Sequence, residues 1–165
     1  MRWLELLAFS LVALRLTGSP LVVSLTVFAR MLPLFLFSAL IGTLAEGRDR
    51  RRILVVTLAG AVLLSLALLG LTAADLMSVP VLLTGAFLGG IVWTVEAPLR
   101  RVLLAEAGGA GRVGASMSLE IATNQATRIL GAIAGGAVIG LLDLRGVFAL
   151  GVLLYGAALA LIARS

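Results

Sequence analysis

Long runs without charge constrain this chain most. No side chain between Ile53 and Leu71, or between Ser78 and Val95, carries a charge. Each run is too long for a soluble strand and, as a helix, approaches the ~30 Å hydrocarbon core of a bilayer. A third apolar run, Pro20–Ala45, is broken only by Arg30. Between it and the Ile53–Leu71 run lies Gly42-Thr43-Leu44-Ala45-Glu46-Gly47-Arg48-Asp49-Arg50-Arg51-Arg52, the densest charge run in the sequence. A short basic turn between two long apolar segments reads as a loop between two membrane helices, held on the cytoplasmic side by its arginines.

Composition agrees. The chain is 61% hydrophobic and 13% charged, with a mean hydropathy of +1.18. A soluble domain is about 45–50% apolar and about 25% charged. Dispersed in water, this composition would expose large apolar patches. The net charge of +5 comes from thirteen basic residues, all arginine. They sit in short loops between apolar runs and form no single soluble face, which argues against nucleic acid. The absence of histidine and cysteine removes disulfides, zinc triads, His-ligated haem and histidine acid–base catalysis. No metal or cofactor is expected.

Taken in order, the chain predicts six helices. Residues 3–17 would make roughly 22 Å of helix, short of the bilayer core, so a first helix lacking its initial turns is expected. A signal peptide fits poorly, because Glu5 interrupts the basic region and no small-x-small cleavage site follows. Thr17-Gly18-Ser19-Pro20 is a tight turn, with Ser19 a cap and Pro20 at a first helical position. The second helix runs to about Ala45 and the third from Ile53 to Leu71. The fourth opens at Ser78 and Pro80 and runs to about Val95. A polar connection over about residues 96–114 leads to the fifth helix, from about Ala115 to Leu142. Asp143-Leu144-Arg145-Gly146 would turn the chain into the sixth, Val147 to Ala163.

The loops on one side and both chain ends hold nine of the thirteen arginines: 2, 48, 50, 51, 52, 100, 101, 112 and 164. By the positive-inside rule both termini are cytoplasmic, in the plasma membrane of a bacterium, its inner membrane. Residues 1–165 then form a single bundle. Ile41-Gly42 before Glu46 and Ile139-Gly140 before Asp143 are a short internal echo on opposite membrane faces. It divides the bundle into two three-helix repeats, 1–75 and 76–165, of inverted topology.

The basic loop carries a more specific pattern. Read as Gly-x-x-x-acid-x-x-x-Arg-Arg, residues Gly42, Glu46, Arg50 and Arg51 resemble the loop signature of the major facilitator superfamily, Gly-x-x-x-Asp-Arg-x-Gly-Arg-Arg. Glu46 stands for aspartate, Gly47 for the usual arginine and Asp49 for the usual glycine. The Asp49-Arg50-Arg51-Arg52 ending resembles the branch that includes siderophore exporters and macrolide-efflux proteins. Thr17-Gly18-Ser19-Pro20, Arg30-Met31-Leu32-Pro33 and Glu96-Ala97-Pro98 look like the same branch in the same order. Arg128 to Gly136 is similar to the Gly-Pro-x-x-Gly-Gly element of drug antiporters, with Ala132 in place of proline. The resemblance implies an all-α integral membrane protein, the first six-helix half of a twelve-helix secondary transporter. It also implies that the loop acid latches one conformation; with Gly47 lacking a side chain, one partner of that latch is missing.

Four residues place polarity inside the membrane. Glu120, Asn124 and Arg128 share one stripe of the fifth helix, and Arg30 lies deep in the second. A mid-bilayer charge costs about 2.5–3.5 kcal/mol on insertion scales, so these groups should face a cavity or each other. They read either as a structural ion pair, for instance Arg30 with Glu120, or as a substrate or proton pathway. Glu96 lies near the cytoplasmic end. Gly85, Gly89, Gly131, Gly135 and Gly136 are expected to let helices pack closely.

Two functions are open. One is a secondary exporter of a small molecule by alternating access, with a proton as a possible coupling ion and Glu120 as its carrier. It needs a second six-helix half in the same or another chain. The other is a membrane scaffold without transport, against which the buried polar stripe weighs. An intramembrane enzyme is disfavoured, since no nucleophile–base constellation can be built. No Gly-x-x-x-x-Gly-Lys loop for ATP is present, so pumping would draw on a gradient. Arginine in the cavity leans toward an anionic or amphiphilic substrate.

Overall fold

The structure, a computed structural model, describes residues 2–45, 49–108 and 113–164. Five helical elements make it up: α1 (Arg2–Thr17), α2 (Pro20–Ala45), α3 (Arg50–Ala73), α4 (Val79–Gly108) and α5 (Val113–Arg164). No strand occurs among the described residues.

The helix ends follow from local chemistry. α1 stops where the Gly18 N–H donates to Leu14 O at 2.8 Å and Gly18 adopts φ +63°, the left-handed conformation that glycine reaches without strain. The Thr17 hydroxyl donates to Ala13 O and accepts from the Ser19 N–H. Pro20 then occupies the first position of α2, where its missing N–H is not needed. Asp49 caps α3, its carboxylate accepting from the N–H groups of Arg51 and Arg52. α3 ends in Ala74 and Asp75, the latter at φ 55°, uncommon for a side-chain-bearing residue.

α5 departs from expectation. The predicted turn at Asp143–Gly146 is helical backbone, continuous from Val113 to Arg164. A straight helix of 52 residues would be about 78 Å long. The contacts exclude that shape. Glu120 reaches Arg101, Leu103 packs in the cluster of Leu54, Leu58 and Tyr155, and Arg51 donates to Ile162 O. Glu120 and Ile162 thus lie at the same end of the bundle, where Asp49–Arg52 begin α3; we call it the basic end. Arg145 lies at the other end, 3.4 Å from Ala73 O and 3.6 Å from Asp75. The first arm of α5 (113–137) and its second arm (145–164) therefore run in opposite directions.

Among the described residues, four helical stretches are long and apolar enough to cross a membrane: Pro20–Phe37, Arg51–Ala73, Val79–Leu103 and Arg145–Ile162. α1 is too short, with 16 residues. The first arm of α5 carries Glu120, Asn124 and Arg128. Leu21, Phe35, Val56 and Leu161 stand outward, at least 70% exposed, as side chains facing lipid do.

The core is built where helices meet. Phe9, Val12 and Ala13 of α1 pack with Leu68 of α3, Leu82 and Ala86 of α4 and Phe148 of α5. The Phe9 and Phe148 rings meet edge to face, 6.1 Å apart. A second cluster joins α3 to the second arm of α5 through Leu54, Leu58, Ala61 and Tyr155. Arg30 lies between these clusters and the first arm of α5.

Candidate functional site

Arg30 is 3% exposed, near the middle of α2. Such a charge needs a counter-charge and hydrogen bonds to sit away from water. Its Nη2 donates to Glu5 Oε2 at 2.9 Å. The expected partner, Glu120, is not the one it meets: α1 packs against α2 with Glu5 turned inward, while Glu120 lies near the basic end. The guanidinium also stands 5.7 Å from the centre of the Phe9 ring. Arg30 Nη1 has no hydrogen-bond partner among the described residues.

Two glycines make room for this arginine. A β-carbon at Gly89 would lie 3.0 Å from Arg30 Nη1, and one at Gly90 would overlap the Arg30 carbonyl oxygen. α2 and α4 can therefore approach this closely only with glycine at position 90, while a methyl at position 89 would need the end of the Arg30 side chain to give by a few tenths of an ångström. Gly85, one turn earlier, sits against Leu68 and Phe9 at 3.0 and 3.4 Å. Gly131 and Gly135 of α5 lie at ordinary contact distance from Trp3 and from Leu4 and Leu7, whereas a β-carbon at Gly136 would meet nothing within 4 Å. Gly90, the most crowded of these positions, was not among the glycines expected to pack.

A third helix comes near this pair, since the second arm of α5 brings Tyr155 beside Glu5. Glu5, Ser65, Gly89 and Tyr155 border a cavity of about 10 Å³, room for roughly one water-sized sphere. α1, α2 and α5 thus share one buried polar node, with α3 and α4 forming its walls.

The polar stripe of α5 splits. Glu120 is 7% exposed and lies 3.2 Å from Arg101 Nε and 3.3 Å from Arg100 Nη2. Glu96 is 3.9 Å from Arg100, so it belongs to the same group at the basic end. Arg128 is exposed and places its guanidinium 4.8 Å from the centre of the Trp3 ring. Asn124, between them, borders two cavities. One, of about 270 Å³, is lined by Arg100, Glu120, Thr123 and Thr127 as well; the other, of about 60 Å³, by Trp3, Arg30, Met31 and Trp93. Asn124 thereby connects the polar surface at the basic end to the buried Arg30.

Of the basic loop, Glu46, Gly47 and Arg48 lie outside the described residues, as do the surroundings of Gly42 and the side chain of Arg50. Asp49 caps α3. Arg51 donates to Ile162 O at 2.8 and 3.3 Å, tying the start of α3 to the end of α5. Arg52 is 87% exposed and, among the described residues, pairs only with Asp49, at 3.3 Å.

Sequence reasoning missed Glu5, Tyr155, Trp3 and Gly90. Glu5 did carry a signal: it is an acid inside an apolar helix, opposite in charge to the one deep arginine of α2. Nothing in a linear pattern marks Tyr155, whose hydroxyl matters only because the second arm of α5 returns beside α1.

The site can hold a charge pair out of water, offer an arginine N–H group to one further acceptor, and connect it to polar cavities along α5. No group of residues able to hold a metal ion occurs among the described residues. Comparison with curated proteins and with solved structures found no match. Comparison with protein families found one, whose profile, described as transmembrane secretion effector, matches residues 2–165. Long apolar helices around a buried charge node, together with a match over nearly the whole chain, make this a multi-pass membrane protein that belongs to the transmembrane secretion effector family of major facilitator transporters.

Proposed function

We propose that this protein exports a small molecule by alternating access. It lies in a bacterial inner membrane with both ends of the six-helix unit in the cytoplasm, and works with a second six-helix half in the same or another chain. Its two three-helix repeats, 1–75 and 76–165, are related by inverted topology, and the substrate passes along Arg30, Asn124 and Arg128. The observation that carries this reading is the retention of Arg30 and Glu5 in the middle of an apolar bundle, beside cavities that Asn124 connects to a polar surface. A structural ion pair alone needs no such cavities. The exposed first arm of α5, with Thr123, Thr127 and Arg128, supplies a polar wall that a second half would close. The placement of arginines supports the orientation. In the basic loop, the Asp49 cap and the Arg51–Ile162 tie form the part of the latch that holds α3 to α5.

The test is transport by the full protein as its gene encodes it, in a bacterial host stripped of its own efflux systems. Accumulation of a panel of anionic and cationic fluorescent amphiphiles would be measured. Export predicts reduced accumulation of at least one compound, restored to the host level by Arg30→Ala at equal membrane abundance. Equal accumulation with and without the protein across both charge classes would reject export and favour the scaffold.

A further inference from the structure

We propose that the cavity between Trp3 and Arg30 receives an uncharged carbonyl group, the head of an amphiphilic substrate, and that both residues donate hydrogen bonds to its oxygen. This names the chemistry of the group that passes along Arg30 and Asn124, and for its physiological meaning it rests on the export reading.

The cavity, of about 60 Å³, is bordered by Trp3 and Leu6 of α1, Arg30 and Met31 of α2, Trp93 of α4 and Asn124 of α5. Both tryptophans of the chain therefore stand on it. Trp3 Nε1 and Arg30 Nη1 are buried and have no hydrogen-bond partner among the described residues. Buried N–H groups are rarely left without an acceptor, because each gives up its water for nothing. An indole N–H and a guanidinium only donate, so Trp3 and Arg30 together call for an acceptor.

Charge decides which acceptor. Arg30 is already neutralised, with its Nη2 2.9 Å from Glu5. An anion would have to share Arg30 with the Glu5 carboxylate and give up its own water, which an interior repays only when the charge is well paired. A cation would find no carboxylate on the borders of this cavity and would face Arg30 instead. Arg128 lies over the Trp3 ring at 4.8 Å but is exposed, where water screens its charge. An uncharged carbonyl oxygen meets none of these objections. Its two lone pairs can accept from both N–H groups, and the Glu5–Arg30 pair stays intact. Arg30 therefore selects an acceptor here and not an anion.

Size sets how much of the substrate enters. A volume of about 60 Å³ is roughly the liquid share of two water molecules and well below the ~150 Å³ that holds benzene. The head is therefore a few atoms, such as the end of an amide, ketone or ester. The rest of the molecule lies past Asn124, in the cavity of about 270 Å³ beside Ser116, Thr123 and Thr127, and any charge it carries stays there.

The experiment follows the indole N–H signals by nuclear magnetic resonance, in the full protein with isotope-labelled tryptophan in lipid nanodiscs. Trp3→Phe and Trp93→Phe assign the two signals. The probes share one phenylbutyl chain and differ in the head: phenylbutanamide, phenylbutanoate, phenylbutylammonium and butylbenzene. Titrations of empty nanodiscs correct for partition into lipid. Phenylbutanamide should move the Trp3 indole proton downfield to saturation, as a new hydrogen bond does, and bind about tenfold more tightly than the other three. Trp3→Phe keeps a ring and removes the N–H, so it should weaken the amide about tenfold, read on Trp93, and leave butylbenzene unchanged. A carboxylate that binds as tightly as the amide, a Trp3 signal that the amide does not move, or one that butylbenzene moves equally would overturn the proposal. Should Trp3→Phe fail to fold, Trp3→Tyr assigns the signal and the order of the four probes on the parent decides. The titration needs no transport. An amide preference in a protein that exports nothing would leave the head site standing and remove the export reading, and export without an amide preference would do the reverse.

Discussion

Replacing Glu5 by glutamine keeps the size of the side chain and removes only its charge. Arg30, 3% exposed, would then be a buried cation without a counter-ion. Removing one member of a buried ion pair costs about 3–5 kcal/mol. Contact with the Phe9 ring at 5.7 Å remains and offsets part of that. We therefore expect Glu5→Gln to destabilise by about 3 kcal/mol, roughly a hundredfold in the folded-to-unfolded ratio at about 1.4 kcal/mol per decade. Arg30→Met alone leaves Glu5 without its counter-ion and should cost a similar amount. The double variant Glu5→Gln/Arg30→Met holds no charge, so most of the loss should return, with a large favourable coupling in the cycle. The assay is reversible unfolding in mixed micelles with a rising fraction of denaturing detergent, followed by tryptophan fluorescence and circular dichroism. A single-variant loss under about 1 kcal/mol, or a double variant worse than either single, would refute the idea that this pair is a buried, mutually dependent unit.

Other predictions follow from the same geometry. Gly90→Ala should destabilise by about 1–3 kcal/mol, because its methyl would overlap the Arg30 carbonyl and force α2 from α4, while Gly136→Ala should be neutral or gain up to about 1 kcal/mol. Thermal unfolding of the two variants side by side decides this. Asp49→Ala removes the cap of α3 and should cost about 1 kcal/mol. Arg52→Ala breaks an exposed pair and should stay within about 0.5 kcal/mol, so equal losses at positions 49 and 52 would contradict the capping role.

Much of the architecture was legible before any coordinates. Charge-free runs located α3 and α4, and the Thr17–Pro20 turn located the break between α1 and α2, because glycine and proline act within one or two residues of themselves. The Glu120/Asn124/Arg128 stripe was legible too, since helical spacing alone puts those residues on one face. Its destinations were not: Glu120 turns to Arg100 and Arg101, Arg128 to Trp3. The backbone at Asp143–Gly146, where a turn was expected, is helical, yet the two arms of α5 run in opposite directions, so the chain reverses between them as the sequence implied.

The sequence by itself determined the lipid solvent of this protein and the extents of α3 and α4, both set by short-range chemistry and by the cost of charge in hydrocarbon. Only the tertiary structure decided that Arg30 pairs with Glu5, that Tyr155 lies beside Glu5 and that Gly90 must be glycine. Those three facts depend on which helix faces meet, and a helical repeat orders neighbours along one helix while leaving its partners across the bundle unspecified.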